Sequence, residues 1–202
     1  IERIDTLLLH RGNHLTQFDG AIFDRLLFHL KASRIGSLGV SVQSPEELIE
    51  AISHQEVGHI QMPFNLLDWR WGCAIEQIRK ARASRRLIIH LRSVFLQGLL
   101  LLRDEKAWQR ANCAHSDVIF HWLDDSIKRF ERGSVQDLCI AFVNGLDWVD
   151  GIVIGMETYD QLVENLVIFS KDPLTTLQRD ELIATRPYVL ESTLNPSLWA
   201  NN

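Results

Sequence analysis

The sequence holds three cysteines in 202 residues, Cys73, Cys113 and Cys139, widely spaced and odd in number. It contains no C-x-x-C pair, so neither a zinc ribbon nor a disulfide scaffold is supported, and a reducing compartment is the simple inference. Positive charge is also short: 21 Lys and Arg against 26 Asp and Glu leave a net charge of −5. That balance argues against a nucleic acid or an anionic membrane as partner. Long apolar runs are missing too. The most apolar stretch, 94–102, is broken by Gln97 and Gly98 and reaches about half the length that spans a bilayer. No basic segment followed by a long apolar one opens the sequence, so no signal peptide is expected, and the expected location is cytoplasmic. With Ile at position 1, these residues are not expected to start where translation does.

What is present is ordinary for a globular protein: 46% apolar and 23% charged residues, in a length that suits one domain with a sizeable core. Short runs of Ile, Leu and Val predict strands over 4–9, 38–42, 59–64, 87–93 and 151–155. Their scant polar alternation suits strands covered on both faces. Helical periodicity falls between them. Residues 19–33 carry Ile22, Leu26, Leu27 and Leu30 on one face. "SPEELIEAI" starts at Ser44 with Pro45 first and Glu47 three residues on, a capping-box pattern. Further helices are predicted over 73–83, 117–129, 134–144, from Thr158 through "TYDQLVENL", and near 175–184, with an irregular tail after that. Strands alternating with helices mean a parallel sheet, open or closed as a (β/α)8 barrel. No G-x-G-x-x-G follows any strand, which weakens the open dinucleotide-binding sheet. Five strand–helix units are three short of a barrel, whose usual length is about 250 residues.

At the C-terminal end of the first strand stands His10, the end where chemistry gathers in parallel α/β proteins. His14 lies four residues on, but Gly12 and Asn13 make this a loop, and no Cys or carboxylate pattern completes a metal site. The basic run "RKARASRR" at 79–86 suits a helix C-terminus facing the negative end of a dipole. His90 reads as a satisfied core residue, and His115 and His121 have no evident catalytic partner. The tryptophans of "DWRW", 68–71, either line a pocket or pack over a loop.

The segments "IDTLLLH", "IGSLGVSVQSPEELIEAI", "HIQMPFNLLD", "RSVFLQGLL" and "GIVIGMETYDQLVENL" come in an order and spacing that resemble the aldo-keto reductases, specifically the fourth to eighth barrel strands and the helices after them. The resemblance covers nearly the whole chain, with 103–140 least distinctive. It implies an α/β (β/α)8 TIM-barrel domain, represented over 1–202 by strands 4–8, with a nicotinamide cofactor, NAD(P)H, across its C-terminal mouth. By that resemblance His10 matches the active-site histidine that orients and polarises a small-molecule carbonyl, a role that suits an N–H donor beside developing oxygen charge. Ser41 and Gln61 match the carboxamide-binding positions, and Arg92 stands where many members place an aromatic ring against the nicotinamide. Ser93, Phe95, Gln97 and Gly98 belong to the loop that wraps the pyrophosphate. Gly155, Thr158 and Gln161 fall in the adenosine loop, and Glu164 and Asn165 match the adenine-contacting pair.

Departures from the family pattern are informative. Val42 replaces the usual Asn after Ser41. Members that prefer NADPH place Lys or Arg in the adenosine loop, whereas this one has Gly155, Met156, Glu157 and Gln161. A carboxylate repels a 2′-phosphate, so NADH is expected over NADPH. The family's catalytic Asp, Tyr and Lys precede the fourth strand and have no counterpart here; Tyr159 and Tyr188 match no catalytic position. Weak or absent carbonyl reduction by this chain alone is therefore expected, with self-association through exposed barrel edges. The rival reading is a non-catalytic, degenerate barrel fragment serving as a binding or assembly module.

Overall fold

A computed structural model describes residues 2–200. Five parallel strands form one sheet in the order of the sequence: β1 (Ile4–Leu9), β2 (Ile35–Ser41), β3 (Val57–Pro63), β4 (Ile88–Arg92) and β5 (Gly151–Ile152). Between and after them lie α1 (Ala21–Lys31), α2 (Pro45–Ser53), α3 (Gly72–Arg82), α4 (Glu105–Arg110), α5 (Ser116–Arg129), α6 (Val135–Asn144), α7 (Tyr159–Phe169), α8 (Thr176–Ala184) and α9 (Glu191–Leu194). The last strand is two residues long, shorter than the five expected, and Val153 beyond it lies open to solvent. The chain divides into two compact units. One comprises residues 2–63, 69–92 and 148–151, and the other Phe64–Asp68, Ser93–Asp147 and 152–200.

In the first unit, alternation along the strands sorts residues onto two faces. Leu38, Val40, Ile60, Met62, Ile89 and Leu91 are at most 1% exposed; α1 packs against β2 and α2 against β3. The opposite face is small and polar. Ser37, Gly39 and Ser41 stand beside His59 and Gln61, then Ile88, His90 and Arg92, most of them half-buried. Continuous apolar strands were expected, and this second face is where that expectation fails. Gly39 is required here, because a Cβ at this position would lie 2.9 Å from that of His59 and closer still to the His59 carbonyl.

Helix starts follow the capping chemistry. Ser44 accepts from the Glu47 N–H at 3.3 Å, but the Glu47 carboxylate returns to the Gln43 N–H, at 2.7 Å, one residue earlier than a capping box requires. The basic run serves a neighbour: the Arg85 guanidinium donates to the carbonyls of Ile52, His54, Gln55 and Val57 at 2.6–3.1 Å, at and after the C-terminal end of α2. Arg82 donates to the Leu87 carbonyl and pairs with Asp150, which also accepts the Ile89 N–H at 2.7 Å.

The second unit is helical. Trp108 and Phe142 are fully buried, and Phe142 stacks on Phe64 at 6.1 Å. Its polar centre is Asp137, whose side chain is 2% exposed. The carboxylate accepts from Arg132, from Lys171 at 2.9 Å and from the Gly133 N–H at 2.9 Å. The tail is ordered rather than irregular. Thr193 and Leu194 are buried in α9, Asn112 donates to the Leu198 carbonyl, and the Ala200 N–H reaches the Arg110 carbonyl at 3.0 Å.

Burial opposes the charge on Asp137, but the Gly133 N–H, Lys171 and Arg132 outweigh it and hold the carboxyl below its usual range. A lowered native pKa stabilises the fold above the unfolded-state value of about 3.9 and is lost as pH falls through the native one. Asp137→Ala strands the Arg132 guanidinium and is expected to cost about 3 kcal/mol at pH 7. In urea unfolding, the gap from wild type narrows below about pH 4.

Candidate functional site

The parallel register sets the first cluster. Leu9 pairs with Val40, which brings His10 level with Ser41, and Ser41 pairs with Gln61. The Val42 N–H continues the ladder to the Gln61 carbonyl at 2.9 Å. Arg92 closes β4 opposite Pro63, and its guanidinium donates to the Val42 carbonyl at 3.1 Å. Thus His10, Ser41, Gln61 and Arg92 stand at the C-terminal ends of four adjacent strands. His10 is exposed; Ser41, Gln61 and Arg92 are half-buried. Val42 is wholly buried, so the position that usually carries Asn offers its backbone alone. Burial pulls the Arg92 pKa down, and the nearby Glu47 carboxylate opposes that.

Glu47 is the residue that sequence reasoning undervalued. Its side chain fills the space beside Gly12, where an added Cβ would come within 2.8 Å of its carboxyl carbon. One carboxylate therefore braces the loop after β1, caps the approach to α2 and faces Arg92. A capping pattern signals only the second of these roles.

Lower on the same sheet face, His59 is 7% exposed and meets His90 edge-on, ring centroids 4.3 Å apart. His59 Nε2 is buried without a hydrogen-bond partner among the described residues. His90 also restricts Gly151, whose Cβ would lie 2.9 Å from the ring. Burial first, then His90, lowers the His59 pKa, with Asp150 opposing.

In the second unit the loop after β4 departs sharply from regular backbone. Ser93, Leu96 and Gln97 have positive φ, between 49° and 57°, and Gly98 has φ 84°. Left-handed conformation in three non-glycine residues of one loop is costly and clusters where backbone groups serve function. Val94 and Leu96 are buried anchors, while Phe95 is half-buried and Gln97 exposed. Within the loop the N–H groups of Leu96, Leu99 and Leu100 donate to the carbonyls of Ser93, Leu96 and Phe95 at 2.8, 3.0 and 3.2 Å.

The loop before α7, expected to take the adenosine, is exposed from Gly155 through Gln161. Thr158 accepts the Gln161 N–H at 3.2 Å, and the Gln161 carbonyl returns to the N–H groups of Glu157 and Thr158 at 2.6 and 3.3 Å. Gln161 thus spends its oxygen on the cap of α7. Glu164 is exposed, whereas Asn165 is 4% exposed and its Oδ1 accepts from Gln136 of α6 at 2.8 Å.

Elsewhere, Trp71 of "DWRW" is fully buried and Trp69 is 40% exposed. Among the described residues no group of three His, Cys, Asp or Glu is placed to hold a metal, and no helix is long and apolar enough to cross a membrane.

A falsifiable pH dependence follows from His59. A lowered native histidine pKa favours the neutral ring, so its stabilising effect is complete above about pH 6.5 and is lost as pH falls through the native value. Chemical denaturation from pH 7.5 to 5 is expected to show this loss, and His59→Asn is expected to flatten it.

No protein-family model matches the chain, and no curated protein matches it. Among solved structures, aldo-keto reductase AKR11C1 from Bacillus halodurans is similar in its holo form, with TM-score 0.72 and 17% identity, over 94% of this chain and 63% of that one. Its apo form gives TM-score 0.73 and 17% identity, over 94% and 64%. The chain spans a little under two thirds of the length of the reductase it matches. At this identity the likeness is one of fold: the five-stranded parallel sheet and its helices match part of a (β/α)8 barrel of the aldo-keto reductase type.

Proposed function

We propose that this chain is the nicotinamide-binding portion of an aldo-keto reductase-like, NAD(P)H-dependent oxidoreductase acting on a small-molecule carbonyl in the cytoplasm. The carrying observation is the register that sets His10, Ser41, Gln61 and Arg92 at adjacent strand ends. The holo form of the similar reductase supports cofactor use in general. A bound reduced nicotinamide would supply the hydride. In this reading Ser41 and Gln61 hydrogen-bond its carboxamide, and the planar Arg92 guanidinium, fixed through the Val42 carbonyl, stacks on its ring. His10 presents an N–H toward the carbonyl oxygen, where negative charge develops. Ser93, Phe95, Gln97 and Gly98, in the second unit's loop with left-handed backbone at Ser93, Gln97 and Gly98, take the diphosphate. Gly155, Thr158, Gln161, Glu164 and Asn165 take the adenosine. Tyr159 and Tyr188 are 76% and 73% exposed and are assigned no proton transfer.

Titration with NADH, followed by tryptophan fluorescence, tests the reading. Saturable binding is expected, with NADPH held more weakly because Glu157 and no basic residue occupies the loop. Absence of NADH binding by the folded chain favours the second reading, a non-catalytic binding or assembly module, to which the buried Val42 already lends support. An NADPH preference overturns the cofactor assignment.

Self-association is proposed through the open edge of β1 and the outward face of α7. There Tyr159, Leu162, Val163, Leu166 and Val167 form an exposed apolar stripe at helical spacing. Sedimentation velocity is expected to show dimers or larger species that Leu166→Glu reduces; a monomer at all concentrations sinks the idea.

A further inference from the structure

We infer that Glu47 is a positioning residue for Arg92, acting through the one peptide group that joins Val42 to Gln43; this rests on the nicotinamide reading above. The two side chains grip opposite ends of that peptide. Arg92 Nη2 donates to the Val42 carbonyl at 3.1 Å, and the Gln43 N–H donates to Glu47 Oε2 at 2.7 Å. A planar trans peptide points its carbonyl and its N–H in opposite directions, so one orientation satisfies both partners. The reverse satisfies neither. A guanidinium has no acceptor and an ionised carboxylate no donor, so the two cannot exchange roles. Turned over, the peptide would set its carbonyl against the carboxylate and its N–H against the guanidinium.

Both ends of this chain of contacts are themselves held. Val42 is wholly buried, and its own N–H donates to the Gln61 carbonyl at 2.9 Å, so the rotation left to fix is that of the peptide after it. Glu47 stands in the first turn of α2, where its N–H donates to Ser44 Oγ at 3.3 Å. Its side chain lies against Gly12: a Cβ there would meet the Glu47 Cδ, Cγ and Cβ at 2.8, 2.9 and 3.0 Å. Arg92 leaves β4 and reaches the chain just beyond β2, with β3 between them in the sheet. The side chain thus crosses the end of the strand that carries Gln61, and the Val42 carbonyl decides where its plane comes to rest. Hydrogen bonds in series polarise one another, so the carboxylate on the N–H side strengthens the carbonyl as an acceptor for Arg92.

Titration with NADH and with ADP-ribose, which lacks the nicotinamide, tests the assignment. Wild type is expected to hold NADH the more tightly. Glu47→Met removes the acceptor at similar length and is expected to weaken NADH about tenfold, the range of one hydrogen bond to a charged group, with ADP-ribose unchanged. Glu47→Gln keeps an oxygen for the Gln43 N–H and is expected to stay within about twofold of wild type. In an Arg92→Met background, Glu47→Met is expected to change nothing further, because the residue it acts through is gone. Ser44→Ala weakens the same helix start without touching the peptide, and is expected to lower stability while NADH affinity holds. Equal loss of both ligands in Glu47→Met, a similar NADH loss in Ser44→Ala, or additive losses with Arg92→Met shows a merely structural role and overturns the assignment. So does wild-type NADH affinity in Glu47→Met, or a Glu47→Gln variant as weak as Glu47→Met. If wild type holds NADH no better than ADP-ribose, the nicotinamide reading itself fails and this assignment with it.

Discussion

Two faces of a parallel sheet must both be covered, and here the covers differ in kind. One face of the strands is sealed by helices: Val40, Ile60, Met62 and Ile89 have no exposure at all. The other face is covered largely by its own residues. Gly39 leaves room for the His59 backbone and Cβ, His59 lies edge-on to His90, and His90 in turn demands a glycine at 151. This small-against-large filling along successive strands holds the sheet in register, and register decides which residues emerge together at the C-terminal ends. A slip of one residue would turn Ser41, Gln61 and Arg92 toward the helices and bring Val40, Ile60 and Leu91 to the opposite face.

The second unit solves a different problem, because it has helices and loops but almost no strand to align them. Charge substitutes for a ladder. Asp137 is ringed by two cations and a backbone N–H, with Ser134 capping its helix. Arg132 and Gly133 come from the turn before α6 and Lys171 from the segment after α7, so the carboxylate fixes both at once. Removing the carboxylate takes from Arg132, 11% exposed, its ion-pair partner, so the two belong to one unit.

Much of the fold was legible in the sequence. The first strand was placed at its observed limits, and Ser44, Thr158, Ser134 and Thr175 cap their helices as their positions suggest, since capping is local chemistry. Less legible was whatever depends on partners distant in sequence. Arg85 reads as the end of its own helix yet serves carbonyls about thirty residues away, and nothing near Asp150 marks it as the partner of Arg82 and Ile89. The tail looked irregular because Pro187 and Pro196 interrupt periodicity, while its order comes from contacts with Arg110 and Asn112. At the candidate site, periodicity and strand ends located His10, whereas the cofactor positions came from likeness to a family. Neither source pointed to Glu47 beyond its cap, since it works through Gly12 and Arg92 beside it.

The adenosine loop shows how these constraints bear on ligand choice. Gln161 matches a cofactor position, yet its carbonyl oxygen is committed to the N–H groups of Glu157 and Thr158. Those donors would otherwise face outward at the start of α7, where an anion is favoured by the helix dipole. Capping them removes part of that attraction, and Glu157 adds a negative charge beside it. Two independent features, one in the backbone and one in a side chain, thus disfavour an additional phosphate at this end. The loop after β4, proposed for the diphosphate, has positive φ at Ser93, Leu96 and Gln97. Selectivity between the two cofactors in this reading therefore comes from the absence of a welcome at the start of α7, while the affinity common to both resides in the strained loop after β4.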